Sequence, residues 1–289
     1  MIKEQFCTDF SQLRDIRLLM VEIRSKYKIG TRRFGYINWI GAWTLYKKEV
    51  LRFLVVWVQT IFSPLITSLL FLLVLSLAIG TDRGEVLGVP FVTFLAPGLI
   101  SMQIIQQSFS HSSSSFMIGK IQGNIVDILY APLSPSEVTL AITLASVTRS
   151  IIIAFISILT FKLLIDIEIK NYFTLISFAL LSSFALGAGG IIAGLWAEKF
   201  DHMASVTNFV IVPLSFLSGT FYSIERLPEF LQVISKLNPF FYMIDGFRFS
   251  FIGQSDGSIK FGLIYLFILN LLIWLTTYLL YKKGYKIKS

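Results

Sequence analysis

The residues best suited to chemistry are a run of serines around a histidine, residues 108–115 with His111 among them. Serine and histidine are the parts of an acyl-transfer dyad, so the run raises the hypothesis of a membrane-embedded hydrolase. Four adjacent serines point in different directions around a helix, however, and no glycine turn presents any of them as a nucleophile. A polar helix end or a water-facing vestibule accounts for the run better.

Arg149 is the one ionisable residue deep inside a long apolar stretch, about eleven residues from its start. Such a charge costs at least ~2.5 kcal/mol at mid-membrane, so it should face a bundle interior or an aqueous path. With no Asp or Glu at its depth, Arg149 either bonds carbonyls and hydroxyls or faces a substrate. Together with the polar side chains of Gln103, Gln106 and Gln107, it is our predicted translocation path. The missing carboxylates argue against a proton-coupled carrier.

Nucleotide and metal motifs are absent from the sequence. The Gly119-Lys120 pair is followed by Ile121 and lacks the upstream glycine of a phosphate-binding loop. The chain has 1 cysteine (Cys7) and 2 histidines, too few for a Cys- or His-based metal site. We therefore predict no catalytic, cofactor-binding or metal-binding residue in this chain.

The elements that position these residues are transmembrane helices. The chain is 55% hydrophobic and 15% charged, which is typical of membrane proteins. A helix needs ~20 mostly apolar residues to cross a bilayer. Six stretches qualify, and we predict an all-α membrane protein with spans at about 53–79, 91–118, 138–164, 172–196, 203–222 and 259–281. The second span is the most polar, because the glutamines and serines above lie in it.

Positive charge predicts the orientation. With six spans, 17 of the 25 lysines and arginines fall on the side of both termini and 7 on the other. Positive residues are enriched in cytoplasmic loops, so both termini should be cytoplasmic. The same distribution explains the net charge of +8 without a nucleic-acid partner. The sequence thus places a basic tail, 282–289, and a mixed-charge extension, 1–35, in the cytoplasm.

Three further elements lie outside the spans. Ahead of the first span, an aromatic stripe predicts an amphipathic helix at the membrane interface, the alternative being a core-packed helix. The members of the stripe are Tyr36, Trp39, Trp43, Tyr46 and Val50.

After the second span, Ile125, Ile128 and Leu129 share one face of a short helix, and the bilayer or a partner protein must cover that face. Before the sixth span, residues 223–252 are too charged and too broken to cross, and predict short external helices that dip into the membrane.

Glycines on the fourth span indicate close helix packing. Gly190 and Gly194 form a small-xxx-small pair. Such a pair lets another helix approach closely, either within the chain or at a dimer seam. It says nothing about the substrate.

The order of these elements resembles one family, the permeases of ABC-2 type exporters, and within it the YadH-type branch akin to permeases for Nod-factor and drug export. The resemblance covers residues 36–286, the predicted transmembrane domain. The stretches that carry it are Phe94-Leu-Ala-Pro-Gly-Leu-Ile100, Gln122-Gly-Asn-Ile-Val-Asp-Ile-Leu-Tyr-Ala-Pro132, Ser218-Gly-Thr-Phe-Tyr-Ser223, and Leu227-Pro228 through Asn238-Pro-Phe-Phe-Tyr242 to Arg248 and Gly253.

The resemblance implies a subunit of an exporter in the bacterial inner membrane. Two permeases would pair and associate with two copies of a separate ATPase that binds ATP and Mg, and ATP-driven closure would move a drug-like, lipid or glycan substrate outward. The short cytoplasmic helix would dock on the ATPase through Asn124, Ile125, Asp127, Ile128, Leu129, Ala131, Pro132 and Leu133. The external helices would gate the path through Pro228, Asn238, Pro239, Tyr242, Arg248 and Gly253.

Two further classes of function remain open from the sequence. A secondary carrier or channel would not need the amphipathic cytoplasmic helix, and it would show flux that is independent of ATP. A subunit that only anchors a partner would show no flux of its own.

The orientation is tested by labelling an introduced cysteine. In a Cys7→Ser background, a cysteine at Asp82 should react with a membrane-impermeant thiol reagent from outside the cell, because the map places residue 82 in an external loop. A cysteine at Lys283 in the basic tail is the control and should react only after the membrane is opened. Labelling of position 82 from the cytoplasmic side alone would contradict the map.

Overall fold

The computed structural model describes residues 37–79, 85–165 and 167–287, so the predicted extension 1–35, Tyr36 and the labelling position Asp82 lie outside the described residues. The elements below belong to one compact unit, Trp39–Ser289. Its helices are α1 (Trp39–Val55), α2 (Ser63–Ile79), α3 (Phe91–Ile121), α4 (Ile125–Tyr130), α5 (Pro135–Leu164), α6 (Tyr172–Trp196), α7 (Phe200–Val206), α8 (Val212–Leu217), α9 (Glu229–Leu237), α10 (Pro239–Ile252) and α11 (Ile259–Lys282). A two-residue hairpin, β1 (Glu85–Val86) and β2 (Val89–Pro90), precedes α3.

The helical membrane fold is confirmed. In the part of the chain that the structure describes, five stretches are long and apolar enough to span a membrane: Val58–Ala78, Pro135–Leu164, Tyr172–Trp196, Phe200–Leu217 and Ile259–Lys282. The predicted second span is present as α3, a helix of 31 residues, but it is too polar to be counted among the five. The crossing of the membrane by α3, and with it the count of six spans, remains a prediction.

Helix α3 is the centre of the bundle. It packs against α2, α5, α6 and α10, and its buried residues include Gln103, Ser108 and His111. Other helices therefore cover the polar side chains that would be costly in lipid. Because 31 residues rise by ~46 Å, α3 is long enough to run the length of the bundle.

Contacts at the two ends of α3 agree with that length. At its start, the centre of the Phe94 ring lies 3.9 Å from the guanidinium carbon of Arg248, a residue of α10. At its finish, Lys120 Nζ donates to the carbonyls of Leu195 and Ala197 at 2.7 and 2.6 Å. Lys286 Nζ lies 2.7 Å from Glu198 Oε1, and this ion pair holds the pKa of Glu198 below its usual value. The loops after α3 and α6 and the C-terminal tail thus meet at one end.

The first and fifth spans are each interrupted by a π-helical turn, Val58–Phe62 and Thr207–Ile211. Pro64 and Pro213 follow these turns, and each ring would clash with the carbonyl four residues earlier in a regular helix. The wider turns accommodate the prolines as kinks in these two spans. The predicted fifth span 203–222 is corrected at its end, because the helix stops at Leu217 and the chain then reverses at Gly219, which has a φ of +79°.

The glycines of α6 pack against α3 within the chain, which decides between the two alternatives for them. A Cβ at Gly190 would lie 2.5 Å from the carbonyl oxygen of Phe109, and one at Gly194 would lie 2.8 Å from that of Ser113. The backbones of α3 and α6 are therefore too close for a side chain at either position.

Substitution of these glycines tests the close approach. Gly190→Ala should destabilise the protein by about 1–3 kcal/mol, because overpacking forces α3 and α6 apart. Gly189→Ala on the same helix is the matched control, since no atom lies within 4 Å of its added Cβ. The midpoint of thermal unfolding in detergent should fall for Gly190→Ala and stay the same or rise for Gly189→Ala. Equal changes in the two variants would contradict this packing.

Candidate functional site

A polar cavity of about 780 Å³ lies beside α3. Its walls come from the end of α1, the first span, α3, Arg149 of α5, and Val212 and Phe216 of α8. All four residues of the predicted path line it: Gln103, Gln106, Gln107 and Arg149. The sequence could suggest this grouping because the glutamines are spaced at three and four residues, which keeps Gln103, Gln106 and Gln107 on one side of the helix.

Two of the glutamines join separate helices. Gln103 Nε2 donates to the carbonyl of Pro64 at 2.7 Å, and Gln103 Oε1 accepts from Ser157 Oγ at 2.8 Å. Gln107 Oε1 accepts from Arg149 Nη2 at 2.6 Å. The cavity wall is therefore a hydrogen-bonded link between the first span, α3 and α5.

A second arginine of the cavity wall, Arg52, and its ion-pair partner, Glu49, were not predicted from the sequence. Arg52 lines the cavity, and its Nε lies 2.9 Å from Oε2 of Glu49, a carboxylate that is only 3% exposed. Glu49 follows Lys47 and Lys48 in a charged stretch that favours a solvated face, yet the side chain of Glu49 is buried. Spacing of four residues puts Glu49 on the same face as Leu45 and Phe53, and this face packs on the rest of the chain.

The predicted aromatic stripe of α1 is split between two faces. Trp39 and Trp43 are exposed, as an interfacial helix would require. Tyr46 instead faces α5, where its hydroxyl lies 2.8 Å from Thr148 Oγ1. One face of α1 therefore packs on α5, as in the core-packed alternative, and the other face is exposed, as in the interfacial alternative. The location of α1 at the membrane interface remains a prediction.

The serine run does not form a nucleophile–base pair among the described residues. His111 is buried, and its ring lies near Glu49 and Arg52, with Nε2 3.8 Å from Glu49 Oε2. The hydroxyls of Ser108, Ser113 and Ser114 donate to backbone carbonyls three or four residues earlier. No described hydrogen bond joins a serine hydroxyl to the imidazole, so this geometry does not suit acyl transfer.

The short helix α4 turns a different face outward from the one expected. Ile125 is buried and Ile128 packs with it against the chain's own residues, including Phe116 and Val138. This chain therefore buries Ile125 and partly covers Ile128, which corrects the expectation that the bilayer or a partner protein must cover both. The outward side carries Asn124, Val126, Asp127, Leu129 and Tyr130, and Tyr130 is 86% exposed.

The end of the α4 segment is set by the next helix. Ala131 leaves the helix in an extended conformation, and Pro132 and Leu133 lead into α5. Ser134 caps α5, accepting from the Glu137 backbone N–H, while Glu137 Oε2 accepts from the Ser134 N–H at 2.6 Å. This reciprocal cap satisfies two backbone N–H groups at the start of α5.

The segment before α11, predicted to be external, forms two helices, α9 and α10, that meet at Asn238-Pro239. Pro228 precedes α9, Pro239 begins α10, and Asn238 Oδ1 accepts from the Phe240 N–H as the cap of α10. Asn238 Nδ2 donates to Ser218 Oγ at 2.7 Å and to the Leu214 carbonyl at 3.1 Å. The junction is therefore tied to the fifth span, whose Val212 and Phe216 line the cavity.

Residues near both ends of α10 contact the neighbouring elements. Arg248, 1% exposed, donates to the Gly219 carbonyl at 2.6 Å and lies over the Phe94 ring, which joins the chain reversal to α3. Gly253, with a φ of +81°, ends the helix in the left-handed conformation that glycine favours. The Tyr242 ring contacts that of Tyr265 in α11, with the ring centres 5.1 Å apart and the planes tilted by 52°. The predicted gate residues thus link α10 to its neighbours.

Comparison with known proteins defines the class. The sequence model of the family described as ABC-2 type transporter matches residues 41–252, which is most of the chain and includes every residue that lines the cavity. The chain therefore belongs to the ABC-2 type transporter family, and it is a membrane-embedded subunit of an ABC transport system.

Two groups of relatives resemble it along most of their length. The chain is 30% identical over 256 residues to the inner membrane transport permease YadH of Escherichia coli K12, covering 88% of this chain and 99% of that protein. It is 24% identical to nodulation protein J of Neorhizobium galegae, covering 81% of this chain and 89% of that one. The same identity holds for nodulation protein J of Rhizobium leguminosarum bv. viciae, over 80% and 88%.

Proposed function

We propose that this chain is the permease of an ATP-driven exporter in a bacterial inner membrane, and that the cavity beside α3 is part of its export path. The observation that carries the proposal is the cavity itself, because it gathers four polar side chains from two helices that pass through an apolar bundle. Polar side chains inside a membrane bundle often mark the path of a substrate or of water, and these four line one cavity. The inner-membrane location follows the name of the relative from E. coli.

A second copy of the chain would complete the path. The first and fifth spans border the cavity, and outward residues such as Leu70, Leu73 and Phe209 are exposed on them. Pairing these two spans with those of a second permease would enclose the polar cavity between subunits. This supports a homodimer.

ATP would be bound by two copies of a separate ATPase, since this sequence has no phosphate-binding loop. The outward side of α4 offers Leu129 and Tyr130 as the contact, and the reciprocal cap at Ser134 would transmit its movement to α5. Helix α4 lies at the same end as the C-terminal tail, which the charge pattern assigns to the cytoplasm. A carrier that works without ATP would have no use for this exposed apolar pair.

The outward face of α4 is the decisive place to test coupling. Leu129→Asp with Tyr130→Asp should abolish copurification of the ATPase and permease-stimulated ATP hydrolysis, because charge would be buried at the contact without a partner. The permease should still insert and unfold at the wild-type temperature, since both side chains are exposed.

Two controls separate docking from folding. Tyr285→Asp places the same change on an exposed tyrosine of the C-terminal tail and should leave the ATPase bound. Ile125→Asp should instead lower the yield of folded permease, because Ile125 is buried in the chain's own core. If the Leu129→Asp/Tyr130→Asp variant retains both the ATPase and stimulated hydrolysis, α4 is not the docking element.

A further inference from the structure

Arg149 is a buried cation without a counter-ion. Its side chain lines the cavity and is 9% exposed. One nitrogen, Nη2, donates to the neutral amide oxygen of Gln107, and the buried Nε has no partner. Among the described residues, no carboxylate lies within ion-pair distance of it. The protein therefore leaves a positive charge at the edge of the cavity that no described carboxylate balances.

The other arginine of the cavity is neutralised by the chain itself. Arg52 pairs with Glu49 at 2.9 Å and also donates to the His111 carbonyl at 3.0 Å. Because only Arg52 is paired with a described carboxylate, the two arginines of the cavity leave a net positive charge. That charge lies at Arg149.

A planar guanidinium matches phosphate and carboxylate oxygens, which it can hold through parallel hydrogen bonds. The attraction is stronger here than in bulk water, because Arg149 is largely buried. An acidic group at Arg149 would supply the missing negative charge, which a neutral ligand cannot do.

The remaining walls indicate what such an acid is attached to. Near Arg149 and Gln107, polar side chains such as Gln106 and Ser110 continue the wall. Phe53, Phe71 and Phe216 supply an apolar part of the same cavity. A volume of about 780 Å³ is in the range of sites for drug-sized ligands. The lining therefore suits an amphiphile better than an inorganic ion.

We propose that the cavity selects acidic amphiphiles, molecules with a phosphate or carboxylate beside an apolar portion, and that Arg149 binds the acidic group. This inference rests on the proposed export function, because it names the class of substrate for that same path. The acidic group can belong to a membrane lipid or to a soluble amphiphile, since both present the same oxygens to Arg149.

The proposal is tested with dodecyl phosphate as the acidic probe and dodecanol as its neutral counterpart, added to the purified permease–ATPase complex in neutral detergent. Dodecyl phosphate should raise the unfolding temperature of the permease, and dodecanol should not. Arg149→Lys should weaken dodecyl phosphate binding by ~10-fold, because an ammonium keeps the charge but loses the fork. Inorganic phosphate should bind much more weakly than dodecyl phosphate, and nanodiscs with phosphatidylglycerol in place of phosphatidylcholine should compete if lipids are a source.

Gln107→Glu is the variant that separates binding from packing. It places a carboxylate of nearly the same shape beside Arg149 Nη2, so the ligand-free protein should unfold at the same or a higher temperature. Binding of dodecyl phosphate should nevertheless fall by at least ~10-fold, because the charge is now satisfied. Lys47→Gln removes an exposed charge on α1 and should change neither quantity.

Each contrary result has a distinct meaning. Unchanged dodecyl phosphate binding in Gln107→Glu and Arg149→Lys, or equal binding of dodecanol, would overturn the acid-selective site. Equal affinity for inorganic phosphate would overturn the amphiphile. These results leave ATPase association of the wild-type complex untouched, whereas a wild-type permease that binds no ATPase would refute the export function whatever the probe does.

Discussion

The structure depends on the burial of one polar helix, α3, inside an otherwise apolar bundle. Helix α3 carries glutamines, serines and a histidine along its length, and lipid cannot satisfy their hydrogen bonds. Helices α5, α6 and α10 surround it, and the glycines of α6 let the backbones meet. The polar side that they leave uncovered becomes the cavity. Fold and candidate site thus follow from one cause.

Long apolar runs were predictable from the sequence, because hydrophobic length alone identifies a membrane helix. The α6 bounds match the predicted stretch 172–196, and the segment before α11 breaks into two helices at Asn238-Pro239 as expected. Local effects were not predictable in this way. The hairpin before α3 has only two residues per strand, and Leu217 ends the fifth span because the chain reverses at Gly219.

The candidate site was predicted where charge stood out against an apolar background, and missed where it did not. Arg149 was found because nothing around it in the sequence is charged. Arg52 and Glu49 were missed because they follow Lys47 and Lys48, in a segment where charge is ordinary. Only packing against α3 shows that Glu49 is buried, and only the fold shows that α4 turns Ile128 inward and Tyr130 outward.

The account depends on the cavity being part of a route that ATP opens and closes. The direct measurement is the rate at which a membrane-impermeant thiol reagent modifies a cysteine at Gln106, in a Cys7→Ser complex with its ATPase. A cysteine at Phe155, exposed on the outer side of α5, is the lipid-facing control. We predict that position 106 reacts and that a non-hydrolysable ATP analogue changes its rate several-fold, while position 155 stays unreactive. A cysteine at 106 that is unreactive in both states, or that reacts at one rate regardless of nucleotide, would contradict the account.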